Sequence, residues 1–138
     1  MTDYRTMVPH AADLPLTGTR FASPLDLYSF VRQAWSADTI CDPFDPSNPS
    51  RNQCAVTALA VHHYFGGDIF KTATKGGTHF YNRIGPSFWD LSAEQFGEPI
   101  PYDATPSSTA EAFRHASQTN FEQLIENIEA RVAQTGEI

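Results

Sequence analysis

Between residues 23 and 35 apolar side chains recur at helical spacing, with Leu27, Tyr28, Val31 and Trp35 on one face and polar positions between them. Ser23 followed by Pro24 supplies a cap and a first-turn proline, so the spacing predicts a helix from Ser23 to about Trp35. A second apolar run, from about Gln53 to Phe65, stops at Gly66-Gly67 and has Asn52 as its expected N-cap. The pattern then shifts to short β-type segments. Asp68 to Thr74, a Lys75-Gly76-Gly77 turn, Thr78 to Ile84, a Gly85-Pro86-Ser87 turn and Phe88 to Leu91 read as an antiparallel meander. Ser92 with Gln95 matches a capping box for a short helical turn before Gly97, and Pro99 to Ser108 reads as irregular chain. The last element starts near Thr119, with Phe121, Leu124, Ile125, Ile128 and Val132 on one face and acidic residues outside.

Helix, helix, antiparallel sheet and helix make an α+β domain. A chain of 138 residues is long enough for one domain with a real core and too short for two of ordinary size. Pro9, Pro15 and Gly18 break any periodicity at the start, so residues 1–20 are expected as an extended arm and 21–138 as the domain. Ahead of the second helix, Pro43, Pro46 and Pro49 stiffen the loop from Thr39 to Arg51, placing it to line a cleft.

Composition narrows the partners. A net charge of -7, from 16 acidic against 9 basic residues with no Lys/Arg cluster, argues against nucleic acid. No apolar run approaches the roughly 20 residues of a membrane span. Met1-Thr2-Asp3-Tyr4-Arg5 lacks the order of a signal peptide, so the expected location is the cytoplasm, away from membranes. In a reducing compartment Cys41 and Cys54 are expected as free thiols, with a redox pair that masks Cys54 as the alternative.

Cys54 opens the second helix. At that position the positive end of the helix dipole, with an imidazole nearby, turns a thiol into a usable nucleophile. His79 and Asp90 follow in the strand segments, so the chain order Cys, His, Asp supplies nucleophile, base and orienting acid. The bland alternative makes Cys54 a small core residue, His79 a strand histidine and Asp90 a turn residue; position and order together favour the triad. The Cys54 backbone N–H is one candidate oxyanion donor, and a Gln53 or Asn48 side-chain amide is the second. Trp89 and Tyr81, beside Asp90 and His79, are the candidate substrate-lining residues, although core packing is the commoner use of such aromatics. His62 lies about 12 Å along the helix from Cys54 by rise, too far for direct contact. Neither His62 nor His63 belongs to a CxxC or HExxH pattern, so no metal site is expected, and no dinucleotide or phosphate loop implies a cofactor.

In order and context these residues look like papain-like and transglutaminase-like folds. Four blocks also resemble the YunG-like family of small bacterial proteins: Gln53-Cys54-Ala55-Val56-Thr57-Ala58-Leu59, Phe65-Gly66-Gly67-Asp68-Ile69, His79-Phe80-Tyr81-Asn82-Arg83, and Asp90-Leu91-Ser92-Ala93-Glu94-Gln95-Phe96. That resemblance runs from about Trp35 to Phe96, with a weaker echo in the last helix, and implies membership without an activity. The expected fold is therefore a papain-like core, with the Cys54 helix on an antiparallel sheet of at least three strands and helices flanking it on both sides. The expected function is a cysteine-dependent hydrolase or acyltransferase acting on an amide, peptide or thioester. The rival is a non-catalytic module of the same fold that holds a peptide or small molecule.

Overall fold

The computed structural model describes residues 21–93 and 99–135. The arm expected over residues 1–20 and the Ser92–Gln95 capping box fall wholly or partly outside the described residues. Helix α1 spans Pro24–Ala34, and the Ser23 hydroxyl caps it by accepting from the Asp26 N–H at 3.2 Å. Its buried face is Leu27, Phe30, Val31 and Ala34, so Phe30 takes the core position that spacing assigns to Tyr28, which is half-buried. After a 3-10 turn at Ala37–Thr39 and a loop, helix α2 runs over Cys54–Phe65.

Helix α2 is the centre of the molecule. Every residue from Ala55 to Val61 is buried, and a helix apolar on all sides must be enclosed on all sides. Helices α1 and α4 (Gln118–Thr135) and the short α3 (Thr109–Ala112) contact it, and the sheet covers it opposite. Polar links fix these layers: Trp35 Nε1 donates to Thr57 Oγ1 at 2.9 Å, and Asn127 Nδ2 to the Ala34 carbonyl at 3.0 Å. Leu124, Ile128 and Val132 of α4 enter the core as its periodicity predicts, with Phe121 and Ile125 at the margin.

Strands β1 (Asp68–Thr74), β2 (Gly77–Ile84), β3 (Ser87–Trp89) and β4 (Thr105–Pro106) form one antiparallel sheet in the order β3-β2-β1-β4. The first three are the meander read from the chain. Strand β4 and helix α3 are additions within and just after the stretch expected to be irregular; Pro106 is tolerated because β4 is an edge. Cross-strand pairing sorts the side chains: Ile69, Asn82 and Trp89 share the α2 face, where Asn82 Nδ2 donates to the Ala58 carbonyl at 3.0 Å. Phe70 and Tyr81 share the other face, packed with Phe88 and Tyr102.

No helix among the described residues is long and apolar enough to cross a membrane. The corner between α2 and β1 depends on glycine. Gly67 has φ 74°, and a Cβ there would stand 2.3 Å from the Arg83 carbonyl oxygen. Gly67→Ala is expected to lower unfolding free energy by about 1–3 kcal/mol through backbone strain alone, with the clash added. Urea denaturation of the two proteins measures this, and equal midpoints would show that the corner relaxes without cost.

Candidate active site

The chain enters α2 through an unusual pair of residues. Asn52 adopts φ 67°, a left-handed conformation that asparagine tolerates better than most, and Gln53 rather than Asn52 is the N-cap. Gln53 makes no side-chain cap. It is 0% exposed and turned inward, accepting from Thr39 Oγ1 at 2.7 Å and donating to the Ser36 carbonyl at 3.4 Å. The first N–H groups of α2 therefore carry no side-chain acceptor from the cap, and Cys54 stands at the first helical position, partly exposed.

The imidazole of His79 is 0% exposed, and its Nε2 lies 2.5 Å from Asp90 Oδ2. Asp90 is 2% exposed and its carboxylate is held at both oxygens. Oδ2 also accepts from the Tyr102 hydroxyl at 2.7 Å, and Oδ1 accepts from the Ser92 N–H at 3.2 Å and Ser92 Oγ at 3.4 Å. With Nε2 on Asp90, Nδ1 is the ring nitrogen left for the thiol. Topology makes room for that contact. Strand β3 pairs only with Asn82, Arg83 and Ile84, so at His79 that side of β2 carries no strand and the Cys54 thiol is near enough to bear on the charge of the ring.

Burial pushes the His79 imidazole toward its neutral form. The charge and hydrogen bond of Asp90, with smaller contributions from Cys54, together outweigh burial, and the pKa rises from 6.5 to about 10. His79 is accordingly an imidazolium at neutral pH. The structure thus brings Cys54, His79 and Asp90 together, from the helix start, the second strand and the residue after the third.

A cleft of about 340 Å³ opens beside Cys54, lined by Asn48, Arg51, Asn52, Thr74 and Thr78. The Cys54 thiol also points at the Thr78 carbonyl, 3.8 Å away. Of the two candidate amides, Asn48 is in this cleft and Gln53 is not, because the Gln53 amide is committed to Thr39 and Ser36. Trp89 and Tyr81 are each 1% exposed and line no part of the cleft, which corrects their assignment as substrate-lining residues. Both faces of the sheet are covered at those positions: Trp89 packs in the α2 core, and the Tyr81 ring lies among Phe70, Phe88 and Tyr102 with its hydroxyl accepting from the Ala104 N–H at 2.9 Å.

His62 and His63 play no part in this centre. His62 Nδ1 is 3.1 Å from the Gly67 carbonyl, and His63 packs edge-on against Tyr64 and Phe121. Among the described residues no group of three His, Cys, Asp or Glu side chains could hold a metal ion. Cys41 is a free, exposed thiol that donates to Asn120 Oδ1 at 2.8 Å. Tyr102 is the site residue the sequence did not reveal, since it lies in irregular chain with φ 44° and meets Asp90 only through tertiary folding. Ser92 was more accessible to sequence reasoning, because Asp-x-Ser is the pattern of a carboxylate that accepts from the N–H two residues on.

Residues 23–133 match the family described as YunG protein. The chain belongs to the YunG family. One relative, from Bacillus subtilis (strain 168) and named "Uncharacterized protein YunG", is 40% identical over 96 residues, which is 70% of this chain and 83% of that protein. No solved structure matches. The YunG match starts at the cap of α1 and ends in the last turns of α4, so Cys54, His79, Asp90 and Tyr102 all lie within the family's span.

Proposed function

We propose that this YunG-family chain is a cysteine-dependent hydrolase or acyltransferase with an amide, peptide or thioester substrate, and that its core is papain-like in arrangement. The observation that carries the reading is the buried imidazole of His79, hydrogen-bonded to the Asp90 carboxylate and set near a thiol at a helix start. A fixed positive charge beside a sulfur favours the thiolate, the form of cysteine that attacks carbonyls. A structural histidine in a strand needs neither a buried acid behind it nor a nearby thiol that opens on a cleft.

In this reading Sγ of Cys54 attacks the carbonyl carbon, forming a C–S bond while the carbonyl π pair moves to oxygen. The Cys54 N–H and an Asn48 amide hydrogen stabilise that oxyanion, and Asn48 replaces Gln53 in the role because only Asn48 lines the cleft. Collapse of the tetrahedral adduct expels the amine or thiol, which takes the proton from His79. Water, or a second nucleophile, then gives a proton back to His79 as it attacks the thioester, releasing the acyl group and restoring the thiolate–imidazolium pair. Asp90, held by Tyr102 and Ser92, keeps the ring oriented through both steps.

Alkylation by iodoacetamide tests this without a substrate. Cys54 is expected to react at pH 6 at least about tenfold faster than free cysteine, whose thiol is almost wholly protonated there. Mass spectrometry of the tryptic peptides separates Cys54 from Cys41. A Cys54 no faster than free cysteine, in a protein whose activity survives Cys54→Ala, favours the non-catalytic binding module instead.

A further inference from the structure

The cleft beside Cys54 is polar, and its charge is one-sided. Among the described residues lining it, Arg51 supplies a cation, Asn48 and Asn52 supply amides, Thr74 and Thr78 supply hydroxyls, and no carboxylate is present. The surrounding chain carries a net charge of -7, so a cation at the mouth of this cleft is set against the field of the whole molecule. Arg51 has an acidic neighbour, Asp45, but the pair is loose: its Nη1 stands 3.8 Å from Asp45 Oδ2, beyond hydrogen-bond length, and the Arg51 side chain is 62% exposed. Asp45 is itself engaged by the N–H and hydroxyl of Ser47, at 3.0 and 2.6 Å. The guanidinium thus belongs to a largely exposed side chain of the cleft lining and is not tied to Asp45 by a hydrogen bond. Its backbone is fixed, because the Arg51 N–H donates to the Asn48 carbonyl at 3.0 Å in the turns that lead to Gln53 and Cys54.

On the reading of Cys54 as a nucleophile, we infer that the substrate is an anionic acyl compound, an amide or thioester carrying a carboxylate within a few bonds of the reacting carbonyl, and that Arg51 binds that carboxylate. A single guanidinium flanked by neutral amides matches a monoanion. A phosphate dianion would call for a second cation that this lining does not provide. Arg51 is then the residue that selects substrate, while Cys54, His79 and Asp90 carry the chemistry.

Two alkylating reagents of nearly equal size but different charge test the assignment: iodoacetate and iodoacetamide, with rates followed on the Cys54 peptide. The quantity read is the iodoacetate-to-iodoacetamide rate ratio in wild type, Arg51→Gln and Arg51→Lys. His79 contributes equally to all three proteins, so the change in ratio isolates Arg51. Arg51→Gln is expected to lower the ratio about three- to tenfold, as one charge at a partly solvated site would, with the iodoacetamide rate within about twofold of wild type. Arg51→Lys should keep most of the ratio, and raising the salt to 1 M should shrink the difference between the proteins. An unchanged ratio in Arg51→Gln, or a parallel fall of both rates, overturns the inference. The ratio is measurable even where both rates are slow, so a sluggish Cys54 would sink the nucleophile reading separately from this one. Greater protection of Cys54 from iodoacetamide by inorganic phosphate than by acetate, at matched ionic strength, would overturn the choice of a carboxylate.

Discussion

Replacing His79 with alanine is expected to slow alkylation of Cys54 at pH 6 by about a hundredfold, the lower end of what a positioned acid–base group contributes. The argument rests on proton position. With a pKa raised from 6.5 to about 10, His79 keeps its charge through the neutral range. The advantage of wild type over His79→Ala should therefore hold through the neutral range and shrink as pH rises through about 10, where His79 loses its proton. Because His79 is fully buried, circular dichroism of the variant must first show a folded chain, and His79→Gln provides a variant closer in volume. A wild-type profile that rises with pH like free cysteine, with His79→Ala unaltered from it, removes the imidazole from the mechanism.

Asp90→Ala is expected to cost about 3–5 kcal/mol of stability at pH 6, because it leaves a buried ring, a phenol and the Ser92 N–H without their shared acceptor. Its pH dependence has a definite sign. His79 binds its proton more tightly in the folded chain than in the unfolded one, so the pair stabilises fully below about pH 6.5 and loses that contribution as pH rises through about 10. Urea denaturation should show wild-type stability declining across that window. In Asp90→Ala the decline should flatten, bringing the two proteins closer at high pH. A wild-type stability that increases over the same range would reverse the sign and discredit the buried ion pair.

The parts of this molecule visible in its sequence are those fixed by local rules. Ser23-Pro24 starts α1, Gly66-Gly67 ends α2, and alternation with glycine turns marks β1 and β2; all appear within a residue or two of their expected bounds. Cys54, His79 and Asp90 stand out as a candidate set by type and order, since each stands at an element boundary or on a strand. What local rules missed depends on contacts across the chain. Two residues of β4 pair with β1 from thirty-odd positions away, leaving no period to detect. Gln53 looked like an oxyanion donor because it adjoins the nucleophile, yet Thr39 and Ser36 draw it inside. Trp89 looked like a cleft wall because it adjoins Asp90, but its side chain turns into the α2 core; Tyr81, two residues on from His79, shares that residue's face of β2, where Phe70, Phe88 and Tyr102 enclose its ring.

The inward hook of Gln53 has a consequence for how such a protein can diversify. By joining the start of α2 to Thr39, it staples the two ends of the segment comprising residues 40–52, so the position of the nucleophile is set at the base of that loop and not by its tip. Asn48 and Arg51, the two loop side chains that reach the cleft with the most to offer a ligand, belong to the part beyond the staple. Selection can therefore exchange these side chains while the reacting sulfur stays in register with its histidine. In engineering terms, the loop is a cassette and the staple is its frame.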